Sequence, residues 1–569
     1  MTAQAKEVRR RSSSSGHELL LFTSRLSWER VFSRPEESRD FERRILPSFI
    51  RRCRWFGGKA KPISRMTLQT VIPVKVGKTT HYLVFVEVRY VQRLPELYFL
   101  PIAYFPTEII MEHVEYTAQS VVCRAEVHGK TGFILDSSYD KAFRDFLFLK
   151  MASGFRLKVP SGGLVEFHAS QFSKLKHGKV ESQVLKADST NTTFIFNDRY
   201  FFKFYRRIDR EINPELEIVR FLTEKTSFVN SPRYSGSVEY RDEAGHAVVL
   251  GLLQEKVENQ GDSWSMTMEF VGRYYDRILG KARKEKPPPL INRPALSFAE
   301  IPGLLQKFIG PGFYERVVLL GRRTAEMHLA MASGAGNPDF APEQFTDSYQ
   351  KSLYTSLRKL VKDRFKLLRQ SMSKLDDATK RFAERVLALE DSIIESFNEI
   401  YTVRINSLKT RIHGDYHLGQ VLFTGKDFVI IDFEGEPGFS FYERRLKKSP
   451  YKDIAGMIRS FHYAAYGKIL LNENYHEKEV RILEPWAEQW QHYVSRFYLG
   501  AYLERMGMGK ELPCEDDILI RTYLIEKAVY ELGYELNGRP SWTIVPLRGI
   551  DYQMRRYFKE KEGVKPSVN

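Results

Sequence analysis

Between His413 and Glu436 the chain sets Asp415, Gln420 and Asp432 around two short apolar runs, in an order that strongly restricts the fold. Asp415 is followed five residues later by Gln420. Val421-Leu422-Phe423 reads as a strand, Thr424–Asp427 as a turn and Phe428–Ile431 as the returning strand, with Asp432 at its end.

Moving a γ-phosphoryl group needs an acceptor hydroxyl held in line, a carboxylate to take its proton and oxygen ligands for Mg²⁺. In the protein-kinase pattern a base Asp is followed by a side-chain amide five residues on, then by a hairpin leading to a metal-binding Asp. Asp415 takes the place of the base, and Gln420 and Asp432 those of the Mg²⁺ ligands, hard oxygen donors suited to that cation. Taken singly, the two aspartates would read as ordinary loop and strand-end residues. Base, amide, hairpin and carboxylate in sequence outweigh that reading.

A chain of 569 residues exceeds one ordinary core, so two to four domains or subdomains are expected. The 43% hydrophobic and 13% aromatic shares supply ample material for burial, as in soluble globular proteins. Cys53, Cys123 and Cys514 lie too far apart in sequence for a metal spacing or a disulfide framework, and a reducing, cytoplasmic setting is expected. No apolar run approaches the ~18 residues needed to span a membrane. Arg9-Arg10-Arg11 is followed by Ser12–Ser15 and Gly16 where a signal peptide would carry its apolar core, so residues 1–16 read as a disordered tail. The net charge of +17 and the basic-aromatic run Arg51–Phe56 raise nucleic acid as a partner. Lys and Arg are nevertheless spread along the chain beside 71 acidic residues, which argues for a solvated basic surface that attracts ATP phosphates. Neither nucleic acid nor a membrane is expected as a partner.

Residues 17–177 mix a helical start (Phe41–Arg54) with β-rich runs at Thr80–Val91 and Leu97–Tyr104, and read as a cap and intermediate subdomain. Residues 178–257 read as a β-rich nucleotide-binding lobe ending in a hinge, in which Thr193–Phe196 and Tyr200–Tyr205 flank the turn Asn197-Asp198. Residues 258–569 read as a mainly helical lobe that holds the catalytic loop. Its helical periods lie at Tyr314–Ala332, Leu353–Ser371, Asp376–Tyr401, Tyr451–Tyr466 and Pro485–Arg505, and Lys281–Pro294, with Pro287-Pro288-Pro289, reads as an exposed loop. The fold class is α+β: a bilobal protein-kinase-like fold with an N-terminal β-rich cap.

The bilobal order directs attention to a nucleotide half. Lys203 is the only charged residue in the aromatic strand Tyr200–Tyr205, ahead of a helix that starts at Asn213-Pro214 and carries Glu215 and Glu217. In kinases such a lysine binds the α/β-phosphates and pairs with a helix glutamate. Glu215 shares a face with Ile218, Val219 and Leu222, whereas Glu217 lies about 200° around the helix, which favours Glu215. The loop Ala187–Thr193 would cover the phosphates through groups such as Ser189 and Asn191, without a Gly-rich signature. Leu253–Val257, including Gln254 and Val257, is the hinge by order alone.

With these residues in place the chain resembles the maltokinase family, a bacterial part of the aminoglycoside-phosphotransferase-like branch of the kinase fold, over about residues 40–555. The resemblance rests on Arg54–Lys59, Asn213–Glu217, Gly321–His328, His413–Gln420, Ile431–Pro437, Ser449–Met457 and Glu526–Leu532 with Tyr534–Leu536 and Arg539-Pro540. It implies ATP-dependent phosphorylation of maltose at the anomeric hydroxyl, giving maltose 1-phosphate for α-glucan (glycogen) synthesis. It also implies trehalose synthase or other α-glucan enzymes as partners, since some relatives are fused to trehalose synthase. Glu434 stands where the Asp-Phe-Gly pattern has glycine, and its part in metal binding stays open.

Leu524, Ile525, Ala528, Val529, Leu532 and Leu536 form the buried stripe of a C-terminal helix. Lys527, Tyr530, Glu531 and Tyr534 fall on another face, and by themselves read as a solvated surface. The resemblance turns Lys527, Tyr530 and Tyr534, with Glu535, into sugar-site candidates. His417 either contacts sugar or holds the loop, the second being favoured, and Asp453 reads as a cap or a buried hydrogen-bonding carboxylate. A kinase for another sugar or an aminoglycoside, and a binding protein without catalysis, are the alternatives.

Overall fold

The computed structural model describes residues 19–563 apart from 60, 109–118, 161, 172–174, 176–178, 186–189, 282–284, 472–474 and 510. The expected N-terminal tail, 1–16, lies outside the described residues. The chain divides into two compact units, Met1–Arg220 with Pro232–Lys256, and Phe221–Ser231 with Val257–Asn569.

The first unit holds two seven-stranded sheets. One runs in the order Leu21–Ser24, Val121–Val127, Lys130–Asp136, Arg93–Pro106, Thr79–Tyr90, Ile63–Val76, with Arg207–Ile208 paired to Arg93–Pro106. The long meander Ile63–Pro106 faces the helices of residues 35–52, and Phe41, Ile45, Phe49, Val84, Val86 and Leu100 share one buried cluster. The basic-aromatic run is part of this packing: Trp55 and Phe56 lie 5.9 and 5.2 Å from the Tyr98 ring.

The second sheet is antiparallel throughout, ordered Arg156–Lys158, Leu164–Ala169, Tyr234–Arg241, Ala247–Glu255, Tyr200–Phe204, Thr192–Phe196, Ser182–Val184. Two of its strands precede residue 178. Asn197 and Asp198 both take positive φ (53° and 49°), the twist a two-residue hairpin requires and one that Asn and Asp tolerate. The sheets meet through Phe85 against Tyr240 and Phe99 against Phe204, and through buried Arg206, whose Nη2 donates to Asp136 Oδ2 at 2.6 Å.

The second unit is helical around the small hairpin Val421–Phe423/Phe428–Ile430. Tyr451–Leu470, Glu477–Arg505 and Cys514–Gly538 form its centre, with Ser263–Lys281, Pro311–Ala332, Asp347–Ser371 and Ile544–Gly563 packed on them. Two helical expectations are corrected. Asp376–Tyr401 is not one helix but three, Asp377–Leu387, Glu390–Ser396 and Asn398–Thr402. A straight helix of that length would run about 39 Å, whereas the breaks keep Val386, Ile393 and Phe397 in one cluster with Leu357, Val361 and Leu532. The other helix starts at Glu477 and passes through Pro485, since a capping box of His476 and Glu479 sets its beginning. A proline there removes one backbone donor without ending a helix that is packed along its length.

The Asp347–Ser371 helix is capped by Thr346, whose Oγ1 accepts from the Tyr349 N–H at 3.2 Å. Thr346→Ala is expected to lower stability by about 1 kcal/mol, read from urea unfolding midpoints, with no change in ligand binding. Among the described residues no helix is long and apolar enough to cross a membrane.

Candidate functional site

In the helical unit the loop before Asp415 hangs from one buried carboxylate. Asp453, in the first turn of Tyr451–Leu470 and 1% exposed, accepts from the backbone N–H of His413 (2.7 Å) and of Gly414 (2.9 Å). Its Oδ2 also lies 3.1 Å from His328 Nε2, and His328 Nδ1 is 3.0 Å from the Tyr502 hydroxyl. Burial opposes the charged form of Asp453, but His328, His413 and the Gly414 N–H outweigh it and hold the pKa below the ordinary value. Asp453 is thus the buried hydrogen-bonding carboxylate of the two roles expected. Gly414 has φ +87°, a left-handed conformation that favours glycine, and a Cβ on it would come within 3.3 Å of Gly435 Cα, a tight approach of the two loops.

The same loop is tied to the end of the hairpin. His413 Nε2 is 2.8 Å from the Ile431 carbonyl oxygen, and the Ile431 N–H donates to the Gln420 carbonyl at 3.0 Å. Gln420 Nε2 in turn donates to Asp432 Oδ2 at 2.9 Å. Asp432 sits at φ +66°, a left-handed conformation that costs most residues 1–2 kcal/mol and Asp somewhat less. His417 Nδ1 accepts from the Gly419 N–H at 3.1 Å and so caps the short turn Leu418–Gln420. Burial lowers the pKa of His417.

Lys527 joins the C-terminal helix to this loop. Its Nζ is 3.5 Å from Asp415 Oδ1 and 3.2 Å from Glu436 Oε1, and 5.1 Å from the centre of the Tyr530 ring. Burial lowers the Lys527 pKa, but Glu436, Asp415 and Glu531 overcome that effect and raise it above the ordinary value. Glu436, 7% exposed, is the residue that sequence reasoning missed. Its place two residues beyond Glu434 carried no signal of burial, and only the tertiary contact with Lys527 reveals it. Burial and Glu436 push the Tyr530 hydroxyl up to about 12. Of the other sugar-site candidates, Tyr534 is 61% exposed, and Glu535 accepts from Arg539 (2.7 Å) and the Tyr463 hydroxyl (3.2 Å).

In the β-rich unit Lys203 lies in register between Thr193 and Leu252. Its Nζ donates to Glu215 Oε2 at 2.9 Å, which also accepts from the Tyr205 hydroxyl at 2.7 Å. Glu215 is 2% exposed, on the helix Pro214–Lys225. The geometry therefore puts Glu215, of the two glutamates considered, against Lys203. Asn191 Oδ1 accepts from the Arg206 N–H at 3.4 Å, while Ser189 lies outside the described residues. Gln254 is 5% exposed in the strand Ala247–Glu255, facing Phe201 and Tyr234 in the ladder. The following backbone N–H groups are engaged, Glu255 with the Arg233 carbonyl and Lys256 with that of Arg199. Val257, in the other unit, accepts at its carbonyl from Asn259 Nδ2.

Residues 49–140 match the maltokinase N-terminal cap domain family. A glucosamine kinase of Mycolicibacterium smegmatis is 31% identical over 136 residues, 24% of this chain and 32% of the relative. One of Streptacidiphilus jiangxiensis is 24% identical over 135 residues, 24% of this chain and 29% of the relative. The chain thus spans about a third of the length of the curated relatives it matches. A solved glucosamine kinase in complex with glucosamine, ADP and inorganic phosphate aligns with TM-score 0.57 and 17% identity, over 88% of this chain and 96% of that one. A second crystal form of glucosamine kinase gives 0.57 and 16% over the same shares. Residues 49–140 thus resemble the maltokinase cap, and the chain as a whole has the fold of the solved glucosamine kinases.

Proposed function

We propose that the protein is an ATP-dependent sugar kinase that phosphorylates maltose at its anomeric hydroxyl to give maltose 1-phosphate for α-glucan synthesis. The observation that carries the phosphotransfer reading is the set gathered at the two ends of one short hairpin: Asp415 in the loop before it, beside Lys527 of the C-terminal helix, and Gln420 bonded to Asp432. Asp415 accepts the proton of the attacking hydroxyl. Lys527 lies 3.5 Å from that carboxylate and ties it to the C-terminal helix. Lys203, held by Glu215, binds the nucleotide phosphates. Gln420 and Asp432 fit Mg²⁺, because their bond through the amide nitrogen leaves the amide carbonyl oxygen, a hard donor, for a cation. A bound Mg²⁺ would neutralise charge on the nucleotide phosphates.

The maltokinase cap match supports maltose as acceptor. The charges near Lys527 support a neutral sugar, since each carboxylate there already has a cation: Glu436 has Lys527, Glu531 has Arg459 at 2.6 Å and Glu535 has Arg539. An ammonium on the acceptor would have to displace one of them. The second reading, glucosamine as acceptor, is favoured by the names of the relatives. ATP consumption with maltose, other disaccharides, glucose and glucosamine decides between the two. A kcat/KM for glucosamine equal to or above that for maltose would overturn the maltose assignment.

Lys203→Met removes the cation but keeps much of the side-chain bulk. It is expected to weaken nucleotide binding by about 10-fold or more, the worth of one charge-assisted hydrogen bond. Titration with a fluorescent nucleotide checks this, and an unchanged affinity would remove Lys203 from the phosphate site.

A further inference from the structure

In the helical unit, the helices Glu477–Arg505, Cys514–Gly538 and Ile544–Gly563 line a partly open cavity of about 220 Å³, together with residues 292–294. Four guanidiniums line it, from Arg293, Arg496, Arg521 and Arg556, against the two carboxylates of Asp517 and Glu560. Three of the arginines have acidic partners. Arg293 pairs with Glu300 at 3.0 Å, Arg521 with Asp517 and Glu399 at 3.0 and 2.9 Å, and Arg556 with Glu560 at 3.2 Å. Arg496 differs. It is 7% exposed, and among the described residues no carboxylate lies within ion-pair distance of its guanidinium; its buried Nε, like those of Arg521 and Arg556, has no hydrogen-bond partner.

A buried cation without a partner costs several kcal/mol and is rarely retained without a use. Burial, followed by repulsion from Arg556, pushes the Arg496 pKa down to about 10 against the weaker, longer-range attraction of Asp517 and Glu560, which leaves it charged at neutral pH. A buried acceptor without a donor lines the same cavity: Gln491 Oε1, in a residue 2% exposed, five positions before Arg496 on the same helix. The lining thus lacks an anion at one point and a hydroxyl or amine donor at another.

We propose that this cavity is a binding site for a phosphate monoester of a polyol, a sugar phosphate, with the phosphoryl group on Arg496 and Arg556 and a hydroxyl donating to Gln491 Oε1. The planar guanidinium suits phosphate because two N–H groups can meet two oxygens at once. Neither residue belongs to the candidate phosphotransfer set, so the site stands or falls apart from the maltose assignment. Occupation would join three helices, one of which, Cys514–Gly538, also carries Lys527.

The test uses the full chain without ATP, and isothermal titration with glucose 6-phosphate, glucose 1-phosphate, inorganic phosphate and glucose as probes. A sugar phosphate is expected to bind in wild type and equally in Lys203→Met, to bind about 10-fold or more weakly in Arg496→Gln, and to weaken with salt. Arg556→Gln, at the half-buried rim, is expected to weaken it as well, and serves if Arg496→Gln does not fold. Gln491→Leu is expected to reduce sugar-phosphate binding and to leave inorganic phosphate unaffected. Unliganded Arg496→Gln is expected to melt no lower than wild type, because a structural role for the arginine would lower the melting temperature. Absence of binding in wild type, or binding unaffected by both arginine substitutions, overturns the site. Inorganic phosphate binding as tightly as both esters overturns the polyol half of the assignment.

Discussion

Asp415→Asn is expected to lower turnover by about 10²–10⁴-fold, the usual worth of a positioned general base, while nucleotide affinity stays near that of wild type. The substitution keeps the side-chain shape and removes only the ability to take a proton. Its structural cost is small, because Lys527 loses a partner at 3.5 Å and keeps Glu436 at 3.2 Å. Global stability is expected to move by no more than about 0.5 kcal/mol, as for substitutions that open no cavity and bury no unpaired charge. Three readings of one protein preparation check this: ATP consumption with maltose, fluorescent-nucleotide titration and a urea unfolding curve. Near-normal turnover would remove Asp415 as the base. A loss of turnover accompanied by an equal loss of nucleotide affinity would mean that the residue binds nucleotide instead.

Features with a local cause were legible from the chain. The Asn197-Asp198 turn forms because both residues tolerate positive φ, and its two strands lie where alternation and turn composition placed them. The Val421–Ile430 hairpin followed from the same signals. Glu215 could be preferred to Glu217 because a helix has a definite period, and Glu215 is the one that meets Lys203. The breaks in Asp376–Tyr401 were hidden because no Gly or Pro marks them; they answer to packing against Leu357, Val361 and Leu532, far away in sequence. The start of the Glu477–Arg505 helix was obscured by Pro485, a residue more often found at a first turn. Glu436 and Arg496 escaped notice for a common reason. A charged side chain in sequence reads as solvated, and only the fold shows that these two are buried.

Asp453→Ala is expected to be the most damaging single change to stability, at about 3–5 kcal/mol, because it leaves buried groups without their charged partner. The carboxylate receives two backbone N–H groups, of His413 and Gly414, and faces His328, at separations of 40, 39 and 125 residues. Against a typical total of about 5–15 kcal/mol, such a loss brings the helical unit close to unfolding. Turnover should fall with it, since Gly414 and His413 place Asp415 and the hairpin end. Asp453→Asn separates charge from shape: one oxygen remains, while the amide N–H₂ confronts a backbone donor. The pH dependence identifies the charge. The folded pKa of Asp453 lies below its ordinary value, so its ionisation stabilises the fold fully above ~3.9, the unfolded value, and that contribution disappears as the pH falls through the folded pKa. The stability difference between wild type and Asp453→Asn is therefore expected to be constant near neutrality and to narrow in acid. Urea unfolding of both proteins across that range measures it. A difference that does not narrow would mean that the oxygen's shape and position, rather than its charge, hold the loop.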